Sequence, residues 1–369
     1  MRVNSLTFRN YRNLADGSIE PCGGVNLIYG DNAQGKSNLL EALWLFCGGH
    51  SFRAASFREI VRFGSDGARL DCVFYGQERE QTATLSFGGG KRSVVLNGVE
   101  KQSSSALIER FCAVIFSPEN LNLIKRGPGE RRGFIDSAIC REKLRNAVIL
   151  ANYNRMTAQR NALLKDVYRN PSLEETLDIW DSQIVRLGSL LTYRRLEFVR
   201  TISDKAEFYH LGISHESERL GLRYISTVGA ADGDSLEEIQ EKFTEKTRQN
   251  RDADIAAGVT LAGPHRDDAE ILINGKNARS FGSQGQQRSA VLSLKLAEAA
   301  TLRERMGEEP VILLDDVLSE LDNSRQDYLL NELRDSQVFI TCCERSNKEQ
   351  LRNGRVFMVK NGVITPEEG

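Results

Sequence analysis

The sequence predicts an α/β fold, a mixed sheet with an antiparallel β part, into which a helical domain is inserted. Three observations carry that expectation. A short apolar strand, Val25–Tyr29, runs into a glycine-rich loop and then an amphipathic helix. A second very apolar strand, Val311–Leu314, ends in two acids. Between them the apolar spacing changes from the period of strands to that of helices near residue 126 and changes back near residue 258. The expected division is therefore discontinuous: residues 1–125 and 258–369 make one lobe, and residues 126–257 a helical insertion.

Taken in order, Ala68–Gln77, Gln81–Phe87 and Arg92–Leu96 alternate in the manner of half-buried strands. The separators Gly88-Gly89-Gly90 and Asn97-Gly98 read as turns, which suggests an antiparallel meander. Cys112–Phe116 is a further apolar strand, closed by Ser117-Pro118. From Glu130 to Ile213 apolar residues recur at helical spacing, first Phe134, Ile135, Ala138 and Ile139, later Leu187, Leu190 and Leu191. Pro171 separates two long helices, and Ser172 with Glu175 fits the capping-box pattern for the second. Ser235–Arg251 is another, highly charged helix. Strand character returns at Val259–Leu261 and Ile271–Ile273, and a helix over Gln286–Arg305 precedes the strand that ends in acids. A helix over Asn323–Leu333 and strands Val338–Thr341 and Val356–Val359 complete the chain.

Composition sets bounds on function. With 369 residues, 40% hydrophobic and 27% charged, the chain can bury a sizeable core. Its 49 basic and 51 acidic residues leave a net charge of -2, so nucleic-acid binding has to come from a local patch or from a surface formed on assembly. No apolar run reaches the roughly 20 residues that span a bilayer, and Met1–Ser5 lacks the start of a secretory signal. The seven cysteines are scattered without a C-x-x-C pair, which points to a reduced cytoplasm; Cys342-Cys343 reads as core filling at a strand end. The four histidines show no zinc-site spacing.

Gly30-Asp31-Asn32-Ala33-Gln34-Gly35-Lys36-Ser37 fits the phosphate-loop pattern G-x-x-x-x-G-K-[ST] without deviation, and the strand before it and the helix after it are the required context. The glycines let the backbone curl so that successive N–H groups face phosphate oxygens, and the helix adds its positive end. Lys36 is expected to reach the β- and γ-phosphates of ATP, and the Ser37 hydroxyl to ligate Mg²⁺. Asp31, Asn32, Ala33, Gln34 and Asn38 belong to the same candidate nucleotide site.

Val311-Ile312-Leu313-Leu314-Asp315-Asp316 is a Walker B pattern, with Asp315 expected to hold Mg²⁺ and Asp316 to polarise the attacking water; Lys36 and Asp316 are thus the candidate catalytic pair. The gap from Lys36 to Asp315 needs a large insertion, which the helical block supplies. Before the acidic strand, Ser283-Gln284-Gly285-Gln286 opens a helix in the manner of an ABC-type signature. There, Ser283, Gly285 and Gln286 would meet the γ-phosphate of a nucleotide bound by another subunit. Ser319-Glu320-Leu321-Asp322 occupies the D-loop position. The order of these segments is that of an ABC-type P-loop ATPase head.

Six segments together resemble the RecF family: Phe8–Asn13, Gly30–Asn38, Phe116–Glu119 with Arg131-Arg132, Gly263–Asp268, Ser283–Arg288 and Leu314–Asp322. The resemblance implies an ABC/SMC-like head without a long coiled coil, an ATP-dependent homodimer, DNA binding at duplex and single-strand/duplex junctions, and work with RecO and RecR in recombinational repair and replication-gap processing. It also implies that Arg12 and Asn13 contact the nucleotide phosphates. Two departures from the wider ABC pattern, Asp316 in place of Glu and Thr341 in place of a switch His, point to slow hydrolysis, a weak DNA-stimulated ATPase that acts as a timer.

Rival readings are weaker. A membrane-transporter ATPase subunit normally has the switch histidine, a structural SMC head needs sustained heptads that Glu130–Arg251 lacks, and a nucleotide kinase has no use for the signature segment. The basic clusters are Lys125-Arg126 with Arg131-Arg132, then Arg141, Lys143 and Arg145, and Arg194-Arg195; phosphate contacts are expected from Lys125–Arg132.

Overall fold

Alternation dictates the first part of the chain. In the computed structural model, β1 (Arg2–Arg9), β2 (Gly17–Ile19), β3 (Val25–Tyr29) and helix α1 (Lys36–Trp44) are followed by a meander of β4 (Gly67–Gly76), β5 (Arg79–Gly88), β6 (Lys91–Leu96) and β7 (Val99–Lys101), then β8 (Ala113–Phe116). The middle carries α2 (Asn122–Lys125), α3 (Pro128–Glu142), α4 (Leu144–Arg169), α5 (Leu177–Ile213), β9 (Leu220–Ile225), α6 (Leu236–Ala257), β10 (Asp268–Ile273), β11 (Lys276–Asn277) and α7 (Ala278–Phe281). Then come α8 (Gln284–Met306), β12 (Val311–Asp315), α9 (Asn323–Glu332), β13 (Val338–Cys342), β14 (Arg355–Lys360) and β15 (Val363–Glu367). The structure describes residues 1–48, 51–53, 56–343 and 354–367; the rest of the expected first lobe lies outside the described residues.

The chain divides into two compact units, Met1–Asn120 with Glu298–Gly369, and Leu121–Ala297. The second boundary falls inside α8, some way after the expected 257/258. The strands β9, β10 and β11 pair with one another, so the chain past residue 258 belongs to the middle unit.

Among the described residues, the first unit has two six-stranded sheets, β2-β1-β4-β5-β6-β7, antiparallel throughout, and β15-β14-β3-β13-β12-β8, mixed. Alternate residues of β4 and β5 are buried, whereas every residue of β12 and β13 is buried, as expected for parallel central strands. The apolar side chains of α1 (Leu39, Leu40, Leu43) share one core with Leu6, Phe8, Leu70 and Phe74 of one sheet and Ile28, Leu313 and Phe339 of the other. Each such side chain contributes about 1.5–3 kcal/mol by burial, so α1 is fixed from both faces. Parallel registers set Asp315 beside Thr341 and Thr341 beside Ile28, which brings the carboxyl ends of β3, β13 and β12 together. In open α/β sheets ligands bind outside such strand ends.

The middle unit is helical with a three-stranded sheet, β11-β10-β9. That sheet corrects the all-helical expectation: β9 lies within the stretch expected to be helical, and Val259–Leu261, expected as a strand, is loop. The expected Ser172–Glu175 capping box is also corrected. Pro171–Thr176 is a 3₁₀ turn in which the Ser172 hydroxyl donates to Asn170 at 2.8 Å. A capping box does open α6, where Ser235 accepts from the Glu238 N–H and Glu238 accepts from the Ser235 N–H.

Buried ion pairs fix the middle unit. Arg195 reaches both Asp136 oxygens at 2.8 Å, Arg131 holds Asp268 at 2.7 and 2.9 Å, and Arg160, fully buried, meets Asp181 at 2.7 Å and Asp254 at 2.6 Å. Three expected basic clusters are thereby reassigned: Arg131, Arg141 and Arg195 are buried, while Lys125, Arg126, Lys143 and Arg145 are exposed.

Candidate functional site

The loop between β3 and α1 is built as its sequence requires. Gly30 and Gly35 have φ of 152° and 116°, and a Cβ on either would collide, at 2.2 Å with the Val359 carbonyl and at 2.5 Å with Leu14. Among the described residues, the main-chain N–H groups of Gly35, Lys36 and Ser37 meet no protein acceptor, so these donors line the loop unpaired. Such a row of N–H groups at a helix start suits an anion. The Lys36 ammonium is largely buried and donates to the carbonyls of Gly30 at 2.5 Å and Asp31 at 2.9 Å.

At the end of β12 the Asp315 Oδ1 accepts from Ser37 Oγ and from Thr341 Oγ1, both at 2.8 Å. Thr341 also accepts from the Asp316 N–H at 2.9 Å, so one buried hydroxyl binds both acids of the Walker B strand. Burial raises the Asp315 carboxyl above the usual aspartate value, and the bonds from Ser37 and Thr341 and the Arg53 charge pull it part of the way back. Asp316 has a left-handed φ of 55°, and its carboxylate accepts from Ser319 at 3.1 Å.

The N-terminal residues divide. Asn13 donates to the Ala33 carbonyl at 3.0 Å and accepts from Asn38 at 2.7 Å, so it braces the loop directly. Arg12 instead donates to both oxygens of the buried Glu41, at 2.9 and 2.7 Å, and Tyr11 adds a third bond at 2.8 Å. Burial alone would raise Glu41, but the bonds from Arg12, Ser51 and Tyr11 together with the Arg12 charge hold it below the usual glutamate value.

A cavity of about 160 Å³ is lined by Asn32, Ala33, Gly35, Lys36, Ser37, Asn38, Arg53, Asp315, Asp316 and Thr341. Arg53 is the functional candidate that sequence reasoning missed. It donates to Asn38 at 3.0 Å and puts a positive charge at the cavity wall, but it lies in an irregular segment with no motif. Gln34 and Asp31 do not line the cavity; the Gln34 side chain accepts from the Asn361 N–H at 2.5 Å.

In the middle unit, Ser283 and Gly285 are exposed at the start of α8, with open space around Gly285. Ser283 accepts from the Gln286 N–H at 3.3 Å, and the Gln286 side chain accepts from the Ser283 N–H at 2.8 Å. Gln286 also donates to Glu218 at 2.7 Å. The helix-cap and signature readings of this segment are thus compatible: Gln286 is committed to the cap, whereas Ser283 and Gly285 stand open to solvent.

Comparison with known proteins gives the chain's family and fold relatives. Residues 2–365 match the family described as the RecF/RecN/SMC N terminal domain. The chain is 38% identical to a DNA replication and repair protein RecF of Clostridioides difficile (strain 630), over all of both chains. It is also 38% identical to one of Acetivibrio thermocellus, over 96% of each. A solved structure of the recombination mediator protein RecF-ATPrS in the RecFOR pathway superimposes with a TM-score of 0.93 at 34% identity, over 99% of this chain and 98% of that one.

Proposed function

The chain belongs to the RecF family of DNA replication and repair proteins, and on that footing we propose that it binds ATP at the Gly30–Asn38 loop, closes into a homodimer around two nucleotides, and holds DNA until slow hydrolysis reopens it. One observation carries the reading: the phosphate loop, Ser37, Asp315 and Asp316 converge at one set of strand ends, with Thr341 tying the acids together.

The residues fit Mg²⁺-ATP. Unpaired N–H groups of Gly35, Lys36 and Ser37 suit the phosphates, and Ser37 Oγ and Asp315 Oδ1, 2.8 Å apart, are hard oxygen donors of the kind Mg²⁺ takes. When bound, Mg²⁺-ATP supplies the phosphoanhydride whose cleavage ends the closed state. Lys36 neutralises phosphate charge, and its present hold on two carbonyls keeps it aimed into the loop. Asp316 orients the attacking water, weakly, because its short arm is bonded to Ser319. Ser283 and Gly285 of a second copy complete the phosphate shell. Asn13 supports the loop, and Arg12 acts through Glu41, while Arg53 adds a cation at the cavity wall. DNA gaps and junctions, with RecO and RecR as partners, are the setting that the RecFOR relatives suggest.

Light scattering with and without ATP tests this on the parent chain, Lys36→Met and Ser283→Arg. An ATP-dependent dimer is expected for the parent alone, with Ser283→Arg still binding nucleotide. The same oligomeric state for all three would overturn the mechanism. Hydrolysis stimulated by DNA separates this reading from that of a transporter subunit.

A further inference from the structure

The segment Gly263–Asp268 is unusual in sequence, lies in the middle unit and has no part in the nucleotide site. Its fold is a knot of satisfied polar groups. Asp267 is fully buried and accepts from Tyr224 Oη at 2.7 Å, from the Thr227 N–H at 2.7 Å and from Thr227 Oγ1 at 2.6 Å. The Pro264 carbonyl accepts from Arg195 at 2.5 Å, and Asp268 is held by Arg131. His265 Nε2 faces the Thr260 carbonyl at 3.0 Å and therefore carries the hydrogen, so its Nδ1 accepts from Tyr153 Oη at 2.7 Å. Burial first, then the charges of Arg266 and Arg132, keep this imidazole below its usual pKa, despite the Thr260 carbonyl and Asp267, so it is neutral at physiological pH.

Every acid of the knot is consumed, but two cations are not. Arg132 donates to the Asp267 carbonyl at 2.8 Å, and the exposed Arg266 donates to the Thr260 carbonyl at 3.4 Å. Among the described residues neither guanidinium has a carboxylate within ion-pair distance. Main-chain carbonyls orient them without neutralising them, and most of their N–H donors remain available. Arg131, one residue from Arg132, shows the contrast, since Asp268 neutralises it.

We infer that Arg266 and Arg132, presented by this rigid loop, bind phosphates of the DNA backbone. Planar guanidiniums with spare N–H pairs match phosphate oxygens, and such contacts are independent of base sequence. The charge comes from arginine alone, so the contribution is constant across neutral pH. The inference rests on the proposed DNA binding and deepens it by naming residues.

Fluorescence anisotropy of a labelled DNA duplex, with Mg²⁺-ATP and a series of salt concentrations, tests it on Arg266→Gln, Arg132→Gln, the double variant and Arg266→Lys. Removing one arginine–phosphate pair lowers the magnitude of the salt slope by about 1. Because the Mg²⁺-ATP dimer carries two copies of each arginine, the expected result is a fall of about 2 for each glutamine variant and about 4 for the double, with Arg266→Lys close to the parent. ATP-dependent dimerisation and thermal unfolding are expected to be unchanged in Arg266→Gln. A parent slope retained in the double variant overturns the inference alone. Loss of dimerisation with an unchanged slope also overturns it, and assigns the pair to the triphosphate of a second copy. A parent chain that binds no duplex at low salt overturns both this inference and the wider DNA-binding reading.

Discussion

Replacing Thr341 by Val keeps the shape of a fully buried side chain and removes one hydroxyl. That hydroxyl donates to Asp315 at 2.8 Å and accepts the Asp316 N–H at 2.9 Å. A hydrogen bond to a charged group contributes about 1.5–3 kcal/mol, and a buried donor left without an acceptor costs about 1–3 kcal/mol. Because the Asp316 N–H is only partly buried, the lower half of that second range applies, and the expected loss is about 3 kcal/mol. The chain has two tryptophans, Trp44 in the first unit and Trp180 in the middle unit. A Trp180→Phe background therefore makes urea unfolding, followed by fluorescence, report on the first unit. With a slope of about 3 kcal/mol per molar the midpoint should fall by about 1 M. Thr341→Ser, which keeps the hydroxyl, should lose only about 1 kcal/mol. Equal shifts for the two variants, or none for Thr341→Val, would refute the bridging role.

Glu41→Gln breaks a buried pair, and at neutral pH should destabilise the first unit by about 3 kcal/mol in the same Trp180→Phe background. Its folded carboxyl is depressed, so the parent's advantage is complete above the ordinary glutamate value of 4.5 and fades as pH falls below it. Urea midpoints at pH 7 and pH ~3.5 should show the parent–variant gap narrow; a constant gap would be contrary to this. Adjacent arginines should differ sharply when Trp180 reports in a Trp44→Phe background. Arg195→Met leaves the half-buried Asp136 without its partner and should cost about 3 kcal/mol, whereas Arg194→Ala, which loses a half-exposed pair with Glu197 and a contact over the Tyr193 ring, should stay within about 1 kcal/mol. Comparable losses would contradict the burial assignment.

What the sequence made legible was local. The phosphate loop is read from eight consecutive residues because its backbone path demands glycine at two of them, and the Walker B strand because a fully buried parallel strand has to be apolar until it ends. What stayed hidden depends on partners far apart in the chain. Thr341 could be seen to differ from histidine, but its two hydrogen bonds, one to Asp315 and one from Asp316, arise from the pairing of β12 with β13. Arg53 has no motif, and its place at the cavity follows from bonds to Ser51 and Asn38 that only the folded loop provides. Arg131 and Arg132 are indistinguishable by sequence, yet one is neutralised by Asp268, 137 residues away, and the other only oriented by a carbonyl. The strand β9 escapes sequence reading because Leu220–Ile225 is too short for period to outweigh its helical surroundings.

The φ of 55° at Asp316 gives the second acid a history of its own. Aspartate is among the few residues that tolerate a left-handed backbone, since its short polar arm bonds locally, as it does here with Ser319. Glutamate is not barred from such a backbone, since Glu78, Glu109 and Glu216 take φ of 60°, 68° and 60° in this chain, but its longer arm is less suited to the short local bond that Asp316 makes. The main chain thus limits where the second acid can point before any side-chain torsion is chosen.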